Sequence, residues 1–302
     1  MKVIFFGLGS IGKKHLSNLR HICETRNITL DVHAYRSNKR TGQDILGVKT
    51  VYDQSLLDND YDVAFITNPT AFHLETLETI MGRANYIFLE KPAFSKNQAI
   101  TQFKSIETTI YVAAPLRYKA VMEKLKSLVS EKRILSARVI CSTYLPDWRN
   151  DDYRQSYSAN PELGGGIELD CIHELDYVID LFGFPQKSTS LMGRKSDLEI
   201  KSNDTALYIL EYQDKFVEVH LDYYGQVPQR KIELITEDGL IEVDLLSNRV
   251  IDKANNEEII INEKPNEMYL RELVYFLDNV ITEKENHNNL NHANQVLKLA
   301  KE

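Results

Sequence analysis

Cysteine, long apolar runs and basic clusters are all scarce in this sequence, and each scarcity excludes a class of protein. The three cysteines, at positions 23, 141 and 171, lie too far apart for a disulfide framework or a C-x-x-C site, so we expect reduced thiols in the cytoplasm. No apolar run approaches the roughly 18 residues of a membrane span, and the first apolar run reads as a strand rather than a signal peptide. The net charge of −8 without a basic cluster disfavours nucleic acid as a partner.

The rest of the composition is that of an ordinary globular protein, with 43% apolar and 26% charged residues. A chain of 302 residues exceeds what one core usually holds, so we expect two domains. We place a dinucleotide-binding domain at residues 1–116. A substrate-binding and oligomerisation domain follows at residues 117–302.

The first third of the chain alternates short apolar runs with amphipathic segments. The predicted strands are Lys2–Phe6, Thr29–Tyr35, Val63–Thr67, Tyr86–Glu90 and Ile110–Ala113, and the predicted helices between them include Phe72–Met81 and Lys96–Ile106. This rhythm indicates parallel strands joined by right-handed crossovers, which is an α/β Rossmann-type doubly wound sheet. Such sheets bind ligands at the carboxyl ends of their strands.

The remainder of the chain is richer in consecutive strands and predicts an α+β domain with a large, mainly antiparallel open sheet. Its predicted helices are Ala120–Ser130, Gly166–Leu181, Asn266–Ile281 and Asn289–Lys301, and its hairpins join 206–212 to 216–223 and 231–236 to 240–245. An open sheet with apolar side chains on its second face needs covering. We therefore expect a homodimer or homotetramer formed through this sheet.

The first strand is followed by a glycine-rich turn, Gly7-Leu8-Gly9-Ser10-Ile11-Gly12. In the G-x-G-x-x-G pattern the first glycine permits the turn, the second lets a pyrophosphate approach the backbone, and the third lets the helix pack closely. A helix-compatible stretch, Lys13 to Arg20, follows, and the N-terminus of that helix would offer its N–H groups to the phosphates, with Ser10 and Ile11 expected among the cofactor-binding residues. We predict a dinucleotide site here, with a plain tight turn as the alternative.

The second predicted strand lacks the acidic residue that normally binds the adenosine ribose of NAD at its end. The stretch instead contains Arg36 and Ser37, followed by Lys39 and Arg40. A guanidinium suits a 2′-phosphate, so we expect NADP as the cofactor. NAD remains the alternative, with Arg36 stacked on the adenine or left in solvent.

Two further segments carry groups that could take part in chemistry. Lys91 follows an apolar strand in Glu90-Lys91-Pro92, where a desolvated lysine can share a proton with a substrate hydroxyl; a surface lysine is the alternative. Asp170, His173 and Asp176 follow three glycines at a spacing that places them on one helix face. We expect no metal there, because only one imidazole is present; a capped helix with a structural histidine is the alternative.

The order of these motifs resembles that of the Gfo/Idh/MocA (glucose–fructose oxidoreductase / inositol dehydrogenase) family of nicotinamide-dependent oxidoreductases. The segments that carry the resemblance are Gly7–His15 with Leu19, Thr67-Asn68-Pro69 with His73, Glu90-Lys91-Pro92, Arg117-Tyr118 and Gly164–Asp176. On this basis we expect Asn68, Pro69, His73, Glu90 and Lys91 to join the glycine loop in binding the cofactor.

The resemblance implies reversible hydride transfer at a carbinol carbon. His173 would take the hydroxyl proton, Lys91 would polarise the oxygen, and Asp170 would orient one or both. Many family members space this Asp and His by four residues, whereas the spacing here is three. His173 keeps its offset to Asp176, so the role of Asp170 is the one that the departure puts in question.

The segment from Tyr144 to Tyr157 is expected to contact the substrate, because aromatic faces pack on sugar rings and arginines bind carboxylate or phosphate. The expected substrate contacts are Arg117, Tyr118, Trp148, Arg149, Tyr153, Arg154 and His173. A sugar derivative with an anionic group, such as a nucleotide sugar or a sugar acid, is the favoured hypothesis, and the segment resembles that of family members from bacterial surface-sugar pathways. The alternatives are a neutral polyol or another carbonyl compound, an NAD enzyme that retains and recycles its cofactor, a non-catalytic NAD(P) sensor, and a structural partner of another enzyme.

Overall fold

A computed structural model describes residues 1–36, 45–103 and 107–302. It contains two compact units, the first made of Met1–Ala113 and Tyr269–Gln295, the second of Ala114–Met268 and Val296–Glu302. These units differ from the expected division at residue 116, because the chain returns to the first unit near its end. Phe276 explains the return, since its ring packs at 5.3 Å and 5.7 Å from the rings of Phe88 and Tyr111 in the first unit.

The first unit holds a six-stranded parallel sheet in the order β3-β2-β1-β4-β5-β6, which confirms the predicted doubly wound sheet. Its strands are β1 Lys2–Phe6, β2 Asp31–Tyr35, β3 Lys49–Val51, β4 Tyr61–Ile66, β5 Ala84–Leu89 and β6 Thr109–Val112. Helix α1 spans Ser10–Thr25 and helix α2 spans His73–Ile80. Strand β3 was not predicted, since it is only three residues long and none of them is buried.

One predicted helix of this unit is wrong over the residues that the structure describes. Between Lys96 and Phe103 the chain forms only a single 3-10 turn, Thr101–Phe103, and residues 104–106 lie outside the described chain. Ile100 and Phe103 are buried in this stretch. A single turn is enough to bury two apolar side chains at this spacing, so the sequence does not require a longer amphipathic helix.

The second unit holds an eight-stranded sheet in the order β14-β13-β12-β11-β7-β10-β9-β8. Its strands are β7 Ile134–Tyr144, β8 Lys187–Gly193, β9 Thr205–Glu211, β10 Phe216–Asp222, β11 Tyr224–Thr236, β12 Gly239–Asp244, β13 Arg249–Asp252 and β14 Glu257–Ile260. All neighbouring pairs are antiparallel except β7 with β10. The predicted mainly antiparallel sheet is therefore confirmed.

The remaining helices are α3 Ala120–Glu131, α4 Ile167–Asp170, α5 Ile172–Phe182, α6 Glu267–Tyr275 and α7 Leu290–Lys301. A π-helical turn, Phe276–Val280, continues α6. Residues 145–163 form a series of short 3-10 turns rather than one long helix or strand. No helix in the described parts of the chain combines the length and apolar character that crossing a bilayer requires.

The helix predicted from Gly166 to Leu181 is broken in the structure. Helix α4 ends at Asp170, and Cys171 leaves helical geometry with φ −102° and ψ 29° before α5 begins. Asp170 and His173 therefore lie on different helices, and the expectation that Asp170, His173 and Asp176 share one helix face is wrong. The prediction assumed that every residue from 170 to 176 rotates about one helix axis by the same angle. One non-helical residue breaks that regular rotation.

Candidate functional site

The glycine loop between β1 and α1 contains two glycines that the fold itself requires. Gly7 has a φ of +97°, and a Cβ there would lie 2.7 Å from the backbone nitrogen of Asn68. A Cβ at Gly12 would lie 2.3 Å from the carbonyl oxygen of Gly7. Thr67 Oγ1 donates a hydrogen bond to that same oxygen. The loop is therefore fixed by close contact between the carboxyl ends of β1 and β4.

Gly9 differs from both of these glycines. Its backbone has φ −71°, which any residue adopts, and no described atom lies within 4 Å of the position that a Cβ would take. Ser10 and Ile11 begin α1, whose first turn carries no acidic side chain. The positive end of this helix is therefore not neutralised by a carboxylate of its own first turn.

Arg36 directly follows β2, and its backbone N–H donates to Val51 O at 3.0 Å. This bond continues the β2–β3 ladder by one residue and holds Arg36 at the carboxyl edge of the sheet. Its side chain is half-buried. Ser37, which was expected to bind the cofactor with it, lies outside the described residues.

His73 joins two loops at the carboxyl edge of β4 and β5. Its Nε2 lies 3.0 Å from Asn68 O and its Nδ1 lies 3.1 Å from Pro92 O. Burial lowers the pKa of His73, and its exposed fraction is 1%. The ring therefore holds the two loops together and leaves almost no surface for the cofactor contact that was predicted for it. Asn68 is half-buried and Pro69 exposed.

Glu90 and Lys91 follow β5, and the Lys91–Pro92 peptide bond is cis. Glu90 Oε1 lies 2.7 Å from His15 Nε2, and Glu90 Oε2 accepts the Lys91 backbone N–H at 3.2 Å. Burial opposes ionisation of Glu90, but the His15 hydrogen bond and the charges of His15 and Lys91 outweigh it and lower the pKa. Glu90 is thus a buried carboxylate beside a half-buried lysine.

In the second unit, Asp170 is paired with aromatic hydroxyls. Tyr223 donates a hydrogen bond from its hydroxyl to Asp170 Oδ2, and Asp170 is 8% exposed. Burial, followed by the charge of Asp170, raises the pKa of Tyr157 to about 12. Sequence reasoning missed Tyr223, which follows β10 and carries no motif of its own. His173 lies at the start of α5 and is half-buried.

Arg117 was expected to bind the substrate, but in the structure its guanidinium donates hydrogen bonds to two carboxylates. Nε and Nη2 each donate to Asp176 at 2.7 Å, and Nη1 donates to Asp180 at 3.1 Å. The Arg117 side chain is 4% exposed. The structure thus gives no support to the expected substrate contact of Arg117, whose guanidinium instead ties the turn after β6 to α5 through a buried ion pair. Tyr118 beside it is half-buried.

The aromatic and basic segment after β7 surrounds a cavity of about 420 Å³. The residues that line it are Leu145, Trp148, Arg149, Asp151, Asp152, Tyr153, Gln155, Ser156 and Ser158. Trp148 packs edge-on against Tyr223 with 5.5 Å between ring centroids, and its Nε1 donates to Thr143 Oγ1 at 2.6 Å. The Tyr223 side chain thus touches both the cavity wall and Asp170.

The arginines of this segment are not equivalent. Arg154 pairs with Asp152 and Glu199, each at 2.8 Å, so its charge is already matched by carboxylates. Arg149 lies 5.1 Å over the ring of Tyr157, and it is the basic residue among those that line the cavity. The structure therefore brings Trp148, Arg149 and Tyr153 to one cavity, while Arg154 is engaged beside it.

Two cysteines that lie 30 positions apart in the sequence are neighbours in the structure. Cys141 Sγ lies 3.6 Å from Cys171 Sγ, and both are buried. With Glu174 they form a group whose potential ligand atoms lie within 4.8 Å of one another. Arg230 already supplies a cation there, with Nε 2.8 Å from Glu174 Oε1 and Nη2 3.4 Å from Cys141 Sγ. Their separation in sequence concealed this contact, which pairs strand β7 with the residue between α4 and α5.

A parallel sheet with a glycine loop at its first strand, followed by a mainly antiparallel sheet, defines a two-domain dinucleotide-dependent oxidoreductase. The chain belongs to the Gfo/Idh/MocA oxidoreductase family. The family's NAD-binding Rossmann domain matches residues 1–109, and its C-terminal alpha/beta domain matches residues 126–301. The predicted family and the predicted class of enzyme are thereby confirmed.

Individual relatives are distant in sequence and similar in fold. An uncharacterized oxidoreductase of Bacillus subtilis (strain 168), YrbE, is 24% identical over 280 residues, which cover 87% of this chain and 79% of that protein. An NAD binding oxidoreductase from Klebsiella pneumoniae has a TM-score of 0.85 at 13% identity, covering 100% and 95% of the two chains. The WlbA dehydrogenase from Bordetella pertussis, solved with NADH and UDP-GlcNAcA, has a TM-score of 0.76 at 17% identity, covering 99% and 92%.

Proposed function

We propose that this protein transfers a hydride between a bound nicotinamide and the carbinol or carbonyl carbon of a sugar derivative that carries an anionic group. The observation that carries the proposal is the open space at Gly9. Neither the backbone conformation nor packing requires glycine at that position. A ligand that passes close to the backbone does require it, as a pyrophosphate would at the start of α1.

The proposed chemical roles fall on three residues. The nicotinamide, when bound, supplies or accepts the hydride. Lys91, at the carboxyl end of β5, polarises the substrate oxygen, and His173 exchanges the hydroxyl proton. Asp170 would orient His173, which lies in the same unit, and the Tyr223 hydroxyl holds the Asp170 carboxylate in place. A sensor that only bound the cofactor would need none of these three side chains, which disfavours the non-catalytic alternative.

The proposed cofactor is NADP, because Arg36 stands at the edge of the sheet where an acidic residue would favour NAD. A guanidinium in that place can bind a 2′-phosphate through two hydrogen bonds. NAD is the alternative, in which Arg36 contributes only by stacking. The same domain would bind either, so the two are separated by relative affinity.

The proposed substrate class follows from the cavity after β7. Trp148 offers an aromatic face for a sugar ring, and Arg149 offers a charge for a carboxylate or phosphate. The anionic nucleotide sugar held by the WlbA dehydrogenase supports this class. A neutral polyol is the second candidate, because Asp151 and Asp152 line the same cavity and accept hydrogen bonds from hydroxyl groups.

We also propose that copies of the chain associate through the eight-stranded sheet.

A titration of purified protein with NADPH and NADH, followed by nicotinamide fluorescence, tests the proposal. Wild type is expected to bind NADPH more tightly than NADH, and Arg36→Ala is expected to abolish that preference. Gly9→Ala should keep the wild-type melting temperature yet weaken NADPH binding about tenfold or more, which is about 1.4 kcal/mol or more. Preference for NADH, or NAD retained through purification, would favour the recycling enzyme instead.

Gly12→Ala is the matched control for Gly9→Ala. Its Cβ would collide with Gly7 O, so it should lower the melting temperature as well as the affinity. If Gly9→Ala binds NADPH as wild type does, the loop is a plain turn and the argument from Gly9 fails. If wild type binds neither nucleotide, the proposed function fails as a whole.

A further inference from the structure

A buried imidazole–carboxylate pair connects the helix after the glycine loop to the residue before Lys91. His15 lies on α1 and is fully buried, and its Nε2 is 2.7 Å from Glu90 Oε1. Glu90 directly follows β5. Within the first unit, one side-chain contact therefore joins the segment assigned to the cofactor with the segment assigned to chemistry.

The surroundings of His15 leave Glu90 as its principal polar neighbour. Its ring centroid lies 4.9 Å from Phe88, 6.4 Å from Phe65 and 6.1 Å from the Tyr269 ring. The buried Nδ1 has no hydrogen-bond partner among the described residues. Since a carboxylate only accepts, Nε2 carries the proton and donates it to Glu90.

Other titratable and charged groups face this pair from each neighbouring element. Lys91 acts on Glu90 from the turn after β5, and the charge of Glu90 is felt by His73 on α2. Tyr269 of α6 lies against the His15 ring, with the Lys14 ammonium 4.1 Å from its ring centroid. Of these groups, the charge of Lys91 favours a negative charge on Glu90.

Both oxygens of Glu90 are held. Oε1 accepts from His15, and Oε2 accepts from the backbone N–H of Lys91 at 3.2 Å. A neutral glutamine side chain could accept the backbone bond equally well. A carboxylate adds something that glutamine lacks, which is a negative charge beside the Lys91 ammonium.

We propose that His15 is a positioning residue for Lys91 and acts through the Glu90 carboxylate. The inference rests on the proposed function, in which Lys91 polarises the substrate oxygen. His15 fixes the orientation of the carboxylate and keeps it ionised. The carboxylate in turn accepts the Lys91 backbone N–H and places a negative charge beside the Lys91 side chain.

The reactivity of Lys91 toward trace acetic anhydride tests this without any substrate or cofactor. Acylation requires the unprotonated amine, so peptide mass spectrometry across a pH series reports the fraction of Lys91 in that form, with exposed Lys201 as the internal reference. Glu90→Gln removes the neighbouring charge. It should therefore move the midpoint of the Lys91 profile to lower pH and raise its reactivity near pH 7 about tenfold.

His15→Phe keeps an aromatic ring but removes the hydrogen-bond donor to Glu90, so Glu90 should bind a proton more readily. Lys91 should then show part of the increase in acylation that is expected for Glu90→Gln. His15→Gln restores an N–H donor and should return the profile toward wild type. Because His15 acts through Glu90, adding His15→Phe to Glu90→Gln should change nothing further. A merely structural role would alter the limiting reactivity at high pH without moving the midpoint.

Additive shifts in the double variant would overturn the proposal, and so would wild-type Lys91 profiles in both single variants. If His15→Phe does not fold, the comparison of His15→Gln with Glu90→Gln decides: the first should match wild type and the second should not. NADPH titration of the same proteins reports separately on the proposed function. Wild type that fails to bind a nicotinamide nucleotide would remove that function while leaving the Lys91 profiles to be judged on their own.

Discussion

In the first unit the cofactor loop is made of backbone from one short stretch, Gly7–Gly12, whereas in the second unit the candidate substrate residues are side chains from several elements. A Cβ at Gly7 or Gly12 would collide with backbone atoms and, at Gly12, also with Thr67 Oγ1, whereas Gly9 faces open space. In the second unit, by contrast, Arg117 and Asp170 are already paired with protein groups. The glycine loop thus leaves space for a ligand at its backbone, whereas Arg117 and Asp170 already use their polar groups in contacts with other residues.

This difference separates residues that touch a ligand from residues that shape its site. In the first unit, His15 and His73 are buried supports that contact Glu90 and Pro92, and Lys91 between those two residues is half-buried. In the second unit, Arg117 is a buried support, and Arg149 is the exposed cation at the cavity. Variants of the two kinds should differ in whether they change turnover or folding.

Lys91→Ala should give the largest effect on activity. Loss of a group that polarises the substrate oxygen is expected to reduce kcat by about 10²–10⁴, while the melting temperature stays close to that of wild type. Lys96→Ala is the matched control, since Lys96 is exposed a few residues away and has no proposed role. Turnover is followed by NADPH formation over a panel of nucleotide sugars, sugar acids and polyols. Undiminished turnover in Lys91→Ala would remove the catalytic assignment.

Arg117→Met should show the opposite behaviour. Removing one partner of a buried ion pair leaves the Asp176 carboxylate uncompensated, which typically costs about 3–5 kcal/mol. We therefore expect a large fall in the melting temperature, measured by circular dichroism. Arg154→Met removes a cation from exposed pairs with Asp152 and Glu199 and should change stability little. If Arg117→Met instead melted like wild type and lost only substrate affinity, Arg117 would be a binding residue after all.

The backbone part of the site could be predicted from sequence because its signal is local. The apolar run of β1 and the glycine spacing after it lie within the first twelve positions, and they determine a strand, a turn and a helix directly. The β-hairpin between β9 and β10 was predictable for the same reason. Because each of these features depends on residues that are close together in the sequence, contacts with distant residues rarely change it.

The side-chain part could not be predicted, because each contact joins distant residues. Nothing near Arg117 shows that Asp176 will hold its guanidinium, and nothing near Asp170 points to Tyr223. His15 was visible only as the last position of a motif, and its Glu90 partner lies on another strand. Sequence spacing also misplaced Asp170, since a single non-helical residue, Cys171, changed the direction in which the following helix presents its side chains.

Two buried glutamates extend the comparison to pH. Glu90 is held by His15, and its pKa is lowered. Glu168 in α4 accepts from Asn203 Nδ2 at 3.2 Å through Oε1, its Oε2 has no hydrogen-bond partner among the described residues, and burial raises its pKa. The first carboxylate is stabilised in its charged form and the second in its neutral form.

Substitution by glutamine should therefore act with opposite signs, and these are the smallest effects expected. The depressed pKa of Glu90 contributes stability that is present above the unfolded value of about 4.3 and is lost as pH falls through the folded value. Glu90→Gln should thus lower the melting temperature at pH 7 and lose this effect in acid. The raised pKa of Glu168 contributes stability that is present below the pKa of the unfolded state and is lost as pH rises through the pKa of the folded state. The stability of Glu168→Gln relative to wild type should therefore increase with pH. Thermal unfolding between about pH 4 and pH 8 measures both, and slopes of the same sign would show that the two carboxylates are not held in opposite states.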